Sequence, residues 1–129
     1  MIERYSREEI KKIWNLGEKF NYYLKVELAV CQAYARLDYI PMEAVRQIKE
    51  KAKFTLERID EIEKETRHDV IAFLTAINES VGADLAKYIH MGLTSSDVID
   101  TAFALQIKDS SKIILNELSE LINIVKKKA

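Results

Sequence analysis

Two short stretches concentrate the side chains able to do chemistry. The first is Thr66-Arg67-His68-Asp69-Val70, where a cation, an imidazole and a carboxylate stand side by side. A helix is expected to start there, and helix N-termini carry unpaired backbone N–H groups and a partial positive charge. Arg67 and His68 would extend such an anion site, while Asp69 would fix the tautomer of His68 or bind a sugar hydroxyl. The plainer alternative is that Asp69 or Thr66 caps the helix and that Arg67 and His68 face solvent.

The second stretch is His90-Met91-Gly92-Leu93-Thr94-Ser95-Ser96-Asp97, a glycine-containing loop that runs into a long helical pattern. Thr94 with Asp97 fits a capping box, which leaves the run of three hydroxyls unexplained. Thr94, Ser95 and Ser96 with the first amides of a helix suit a carboxylate, each hydrogen bond to a charged group contributing roughly 1.5–3 kcal/mol. His90, after an apolar turn, fits a structural role on its own. Arg4-Tyr5 is a third candidate, since a guanidinium pairs with phosphate and a phenol adds a hydrogen bond. Glu27 lies within an apolar face and is expected to be buried and paired locally; Tyr22, Tyr23, Tyr34, Tyr39 and Tyr88 read as packing.

The elements that must position these residues are helices. Three Gly and one Pro in 129 residues leave few breakers, and apolar residues recur at helical spacing nearly everywhere, so the fold class is all-α. Ser6 with Glu9 predicts a capping box opening a helix through Trp14, broken by Gly17. A second helix is expected from about Glu18 to Tyr39 and a third from Met42 to about Lys53, with Pro41 between them. Thr55 should cap a fourth through Glu65. A fifth runs from around Arg67 to Val81, with Gly82 as a left-handed cap, and a short turn covers Ala83 to Ile89.

From Ser95 to Ala129 there is neither Gly nor Pro, and Val98, Ala102, Leu105, Ile114, Leu118, Leu121 and Val125 mark a stripe. At 1.5 Å per residue this is a helix on the order of 50 Å long, more than a compact domain of this size needs. The division expected is an N-terminal helical domain at 1–94 and, at 95–129, the first part of a long bundle helix, truncated, because Lys126-Lys127-Lys128-Ala129 carries no Gly or Asn cap.

The bulk composition narrows the partners. Twenty Lys+Arg against twenty-one Asp+Glu give a net charge of −1, so no global basic field favours nucleic acid or an acidic membrane. The charged first twenty residues do not match a secretory signal, and no stretch is apolar for the ~18 residues of a membrane span. Cytoplasmic residence follows as the simplest expectation. Cys31, the single cysteine, is expected to be buried, and Cys31, His68 and His90 have no metal-ligand spacing. Nucleotide-hydrolase, dinucleotide and serine-hydrolase motifs do not occur.

Taken in order, Arg4-Tyr5-Ser6, Ile13-Trp14, Thr66-Arg67-His68-Asp69-Val70 and Gly92-Leu93-Thr94-Ser95-Ser96-Asp97-Val98-Ile99-Asp100-Thr101-Ala102 resemble the adenylosuccinate lyase family of the fumarase/aspartase superfamily. The resemblance covers essentially the whole chain. It implies a cofactor-free β-elimination in purine biosynthesis, releasing fumarate from adenylosuccinate to give AMP and from succinylaminoimidazole carboxamide ribotide. Carried over residue by residue, it implies that Arg4 and Tyr5 bind substrate phosphate and that Arg67, His68 and Asp69 contact the nucleotide. Thr94 and Ser95 would hold a succinyl carboxylate, and His90 matches an active-site histidine near the phosphate. His68 would also support the proton-transfer histidine.

Full-length family members are homotetramers with sites assembled from several subunits, around a shared bundle of long helices. The family's general acid, a later histidine, and its base, a serine on a flexible loop, do not occur in this sequence, so the chain alone is expected to be inactive. Argininosuccinate lyase, aspartase and cycloisomerases share the scaffold, but the Arg-Tyr start and the Arg-His-Asp cluster favour the nucleotide branch. A reading of another class is a non-catalytic helical oligomerisation module. Lys108, Asp109, Glu117 and Glu120 fit its exposed face, yet it leaves Arg67-His68-Asp69 unexplained.

Overall fold

Asn15, and not Gly17, divides the first two helices. In the computed structural model, which describes residues 3–128, α1 spans Glu8–Trp14 and α2 spans Leu16–Arg36. Asn15 is extended, and its side-chain oxygen accepts the Glu18 N–H at 2.8 Å, a cap that contributes about 1 kcal/mol. Gly17 sits within the first turn of α2, where its flexibility does not break the helix. The N-cap of α1 is Arg7, one residue beyond the expected Ser6. A 3₁₀ turn, Glu3–Tyr5, precedes it.

The helix α2 ends at Arg36, short of the expected Tyr39, because Asp38 turns left-handed at φ 60°. Pro41 then caps α3, Met42–Lys51. Thr55 caps α4, Leu56–Thr66, by accepting the Arg58 N–H, and α5 spans Asp69–Val81. Gly82 ends α5 with φ 89° and ψ 158°. That is a positive-φ extended conformation open essentially to glycine, rather than the expected left-handed helical cap. The turn that follows, α6, is only Ala83–Ala86. The last helix, α7, runs from Ser95 to Lys128; Ala129, the last residue of the expected 95–129 segment, lies outside the described residues. Among the described residues there is no strand, and no helix is long and apolar enough to cross a membrane.

The core is centred on Phe73 of α5, which stacks on Phe20 of α2 with ring centroids 5.6 Å apart and meets Tyr23 and Phe54 edge-on. Such aromatic pairs each contribute about 0.5–1.5 kcal/mol beyond the area they bury. Val70, Ala72 and Ile77 complete the buried face of α5, and Val98 and Ala102 bring the start of α7 into the same core. Cys31 is buried, as expected, with Sγ 3.4 Å from the Tyr88 carbonyl. Tyr39, expected to pack, is 70% exposed and meets Tyr34 edge-on.

Polar anchors then fasten α1 and α2 to α7. Trp14 Nε1 donates to Ser110 Oγ, Gln106 Nε2 donates to the Ile13 carbonyl, and Tyr22 Oη donates to Asp109 Oδ2, all at 2.8 Å. Beyond these anchors the apolar packing stops, and the exposed Arg7–Glu117 ion pair at 2.6 Å reaches the outer half of α7 from the start of α1. Ile114, Leu115, Leu118, Leu121, Ile122 and Val125 are all exposed, so the outer half of α7 carries its apolar stripe into solvent.

Candidate functional site

The turn between α4 and α5 is made by two residues, both of them site candidates. Arg67 adopts φ 50°, ψ 35°, and ends α4 by donating its N–H to the Glu63 carbonyl. It therefore belongs to the turn and not to α5. A left-handed conformation costs a non-glycine residue about 1–2 kcal/mol, and here it swings the chain so that the extended His68 can cap α5. His68 Nδ1 accepts the Ile71 N–H at 3.4 Å.

That bond corrects two expectations. The cap is His68 itself, neither Asp69 nor Thr66. The tautomer of His68 is also set by the Ile71 amide, because Asp69 Oδ1 stands 3.9 Å from Nδ1, beyond hydrogen-bond reach. With its Nδ1 lone pair turned to an amide, the neutral ring carries its proton on Nε2 and offers a donor outward. Asp69 is engaged elsewhere. Its Oδ1 accepts the Val70 N–H at 2.8 Å, and its Oδ2 receives Lys19 Nζ at 2.9 Å. The Val70 and Ile71 amides at the start of α5 are thus used by the chain's own side chains, and the positive charge of this site rests on Arg67 and Lys19.

Lys19 comes from α2, 50 residues away, and no feature of the sequence marks it. Burial pushes the Asp69 carboxyl up, but the Lys19 bond and charge, with the Val70 amide, hold it below the ordinary value of 3.8. Burial depresses the Lys19 ammonium, and the bond to Asp69 with the nearby Tyr23 outweighs it, leaving Lys19 above its ordinary value. Arg67, His68, Asp69 and Lys19 line a cleft of about 500 Å³, floored by Phe20 and Ile59. Lys19 also lines a second cleft of about 400 Å³, against Ile99, Asp100 and Phe103 of α7, so one ammonium forms a wall of both.

The loop before α7 is held at three points. His90 is left-handed at φ 61° and Gly92 at φ 73°. A Cβ at Gly92 would lie 2.6 Å from Tyr34 Oη, so this position needs glycine for space as well as for conformation. Glu27 receives both the His90 N–H (2.9 Å, Oε2) and a contact with His90 Nδ1 (2.7 Å, Oε1). The expectation of a local partner for Glu27 is therefore wrong; its partner is 63 residues away. Asp97 Oδ2 accepts the Thr94 N–H at 2.7 Å and the Thr94 hydroxyl at 2.9 Å, which is the reaching-back half of the capping box. These bonds, with the charge of His90, hold the Asp97 carboxyl below its ordinary value. The amides and hydroxyls of Ser95 and Ser96 keep no partner among the described residues.

Arg4 lies over the Tyr5 ring, 4.8 Å from its centroid, and Tyr5 is 73% exposed. This pair, the Arg67-His68-Asp69 turn and the 90–97 loop are not joined to one another by a hydrogen bond or ion pair among the described residues. Nor does any group of three His, Cys, Asp or Glu side chains among them form a metal site.

Residues 3–129 match a protein family described as lyase. Over all 129 residues the chain is 56% identical to an adenylosuccinate lyase of Synechocystis sp. and 47% identical to one of Bacillus subtilis. It is 45% identical to another of Staphylococcus saprophyticus. It spans all of itself but only 30% of the length of each of these relatives. The β-carboxy-cis,cis-muconate cycloisomerase of Acinetobacter calcoaceticus superposes with a TM-score of 0.79 at 26% identity, over 88% of this chain and 28% of that one. A fumarate lyase of Mesorhizobium sp. gives 0.75 at 24% identity, over 84% and 26%, a likeness of fold.

Proposed function

This chain belongs to that lyase family, and we propose that the protein carrying it eliminates fumarate from adenylosuccinate, giving AMP, and from succinylaminoimidazole carboxamide ribotide. The observation that carries this reading is the start of α7, where Ser95 and Ser96 offer hydroxyls and amides at a helix N-terminus that have no partner among the described residues. That is a natural seat for a carboxylate, and both substrates bear a succinyl group. Thr94 and Ser95 bind it in this reading, Arg67, His68 and Asp69 contact the nucleotide, and Arg4, Tyr5 and His90 serve the phosphate.

The reaction needs a base to take a proton beside a carboxylate, an acid to protonate the departing nitrogen, and donors for the charge that develops between. The residues of this chain supply binding and donors. His68, with its outward N–H, has a supporting role toward a proton-transfer histidine elsewhere in the assembly. In this reading the working enzyme is a cytoplasmic homotetramer whose subunits pack along the exposed stripe of α7. Apolar patches of that extent on an isolated chain favour association.

Ser95→Ala in a full-length lyase carrying this segment tests the assignment. Loss of one hydrogen bond to a charged group should raise KM or lower kcat by on the order of tenfold or more. Unchanged kcat and KM would remove Ser95 from the site. The chain by itself should release no fumarate; turnover that disappears in His68→Ala would overturn that part of the reading.

A further inference from the structure

Glu27 is out of place in a core of aliphatic and aromatic side chains. It lies in the middle of α2 beside buried Val26 and Cys31, and only 2% of it is exposed. A carboxylate so deep needs hydrogen-bond partners, and both of its partners belong to His90. The two contacts fix different things. The bond from the His90 N–H steadies a backbone held at φ 61°, where a non-glycine residue is strained. The contact to Nδ1 fixes the rotation of the ring and requires the shared proton to sit between a carboxylate and Nδ1.

The other ring nitrogen, Nε2, has no partner among the described residues, and the His90 side chain is 23% exposed. His90 opens the turn that runs into α7, its carbonyl accepting the N–H of Leu93, two residues before Ser95, at 3.3 Å. The loop thus carries His90 to the approach of α7, while one edge of its ring is tied to α2.

We propose that Glu27 is a positioning residue for the substrate site: it holds His90 in one orientation with the proton on Nδ1, so that Nε2 is presented to a ligand at the start of α7. This rests on the reading above in which an anionic substrate binds beside His90. Nε2 is an acceptor in the neutral ring and a donor once the ring is protonated. The arrangement is opposite to that of His68, whose Nδ1 accepts an amide and whose Nε2 carries the proton.

The sequence holds only two histidines, so ring ¹⁵N spectra of the labelled chain resolve both. The expected result is a protonated, pyrrole-type Nδ1 for His90 and a pyridine-type Nδ1 for His68. Glu27→Gln replaces one acceptor oxygen by an NH₂ group, which faces Nδ1 as a donor while the remaining oxygen accepts the His90 N–H. The His90 Nδ1 signal should then become pyridine-type. In a full-length lyase carrying this segment, the same substitution should lower kcat/KM by on the order of 10- to 100-fold, the scale on which partners that orient histidines matter at metal sites. Glu27→Asp should recover part of that loss.

A pyridine-type Nδ1 for His90 in the unsubstituted chain overturns the proposal without any variant having to fold. So does an unchanged His90 spectrum in a folded Glu27→Gln chain. If the spectra behave as expected and His90→Ala leaves kcat and KM unchanged, what falls is the placement of substrate beside His90, and the presentation of Nε2 falls with it.

Discussion

Replacing Gly92 by alanine should destabilise the chain by about 2–3 kcal/mol, through two contributions that can be separated. The backbone there has φ 73°, and a Cβ in the left-handed region costs about 1–2 kcal/mol. The new Cβ would also lie 2.6 Å from Tyr34 Oη. Relieving that overlap means tilting the Tyr34 ring, which meets Tyr39 edge-on with centroids 5.8 Å apart. Overpacking of this kind costs about 1–3 kcal/mol, and the lower end applies because a hydroxyl at the tip of a side chain can swing aside. For a chain of this size each kcal/mol lowers Tm by roughly 4 °C, so the expected fall is roughly 8–12 °C.

Thermal and urea unfolding followed by far-UV circular dichroism measures the total, and Tyr34→Phe separates the parts. In the double variant the overlap is gone and the backbone strain remains, so about 1 kcal/mol should return and about 1–2 kcal/mol should stay lost, a coupling a double-mutant cycle isolates. A loss below about 0.5 kcal/mol, the range of neutral surface substitutions, would refute the backbone argument. A double variant no more stable than Gly92→Ala would refute the steric one.

Two predictions concern pH. Asp69 titrates below 3.8 in the fold, so the unfolded chain binds its proton first as pH falls. Its contribution is present above the ordinary carboxylate value and is lost as pH drops through the lower folded value; Asp69→Asn should flatten the acid limb of Tm against pH, and an unaltered limb would count against the Lys19 pair. At the alkaline end, burial and then the bond to Asp109 push Tyr22 from 10.0 up to about 12. The neutral phenol is favoured in the fold, so its contribution is complete below pH 10.0 and fades between there and about 12. Tyr22→Phe should lose that alkaline slope, and a variant with the same slope would show that Tyr22 is not its source.

Local rules account for what could be read in the sequence. Thr55 and Pro41 announce their helices because capping and proline geometry are set by neighbouring residues. Gly17 misleads because a helix tolerates glycine in its first turn when a better cap, Asn15, stands two residues earlier. Arg67 is harder, since glycine and asparagine are the usual left-handed residues and nothing local marks an arginine for that conformation. The site motifs are visible as residue types, yet their partners are not. Lys19 reaches Asp69 across 50 residues and Glu27 reaches His90 across 63, and each partner sits on an amphipathic helix whose periodicity says only which face is buried.

The helix α7 is one covalent element with two regimes of stability. Its amides up to the Ser110 anchor open only when the core opens, because Val98, Ala102, Gln106 and Ser110 are buried in it. Past that point the remaining turns have, besides their own hydrogen bonds, the exposed Arg7–Glu117 ion pair at 2.6 Å, a contact of a kind that contributes little, and a free helix of about 12–15 residues is marginal in water. Hydrogen exchange should therefore speed up along a single unbroken helix, from protection near that of global unfolding to rapid fraying. A partner laid on the outer turns would slow their exchange, so the order of that segment reports assembly directly.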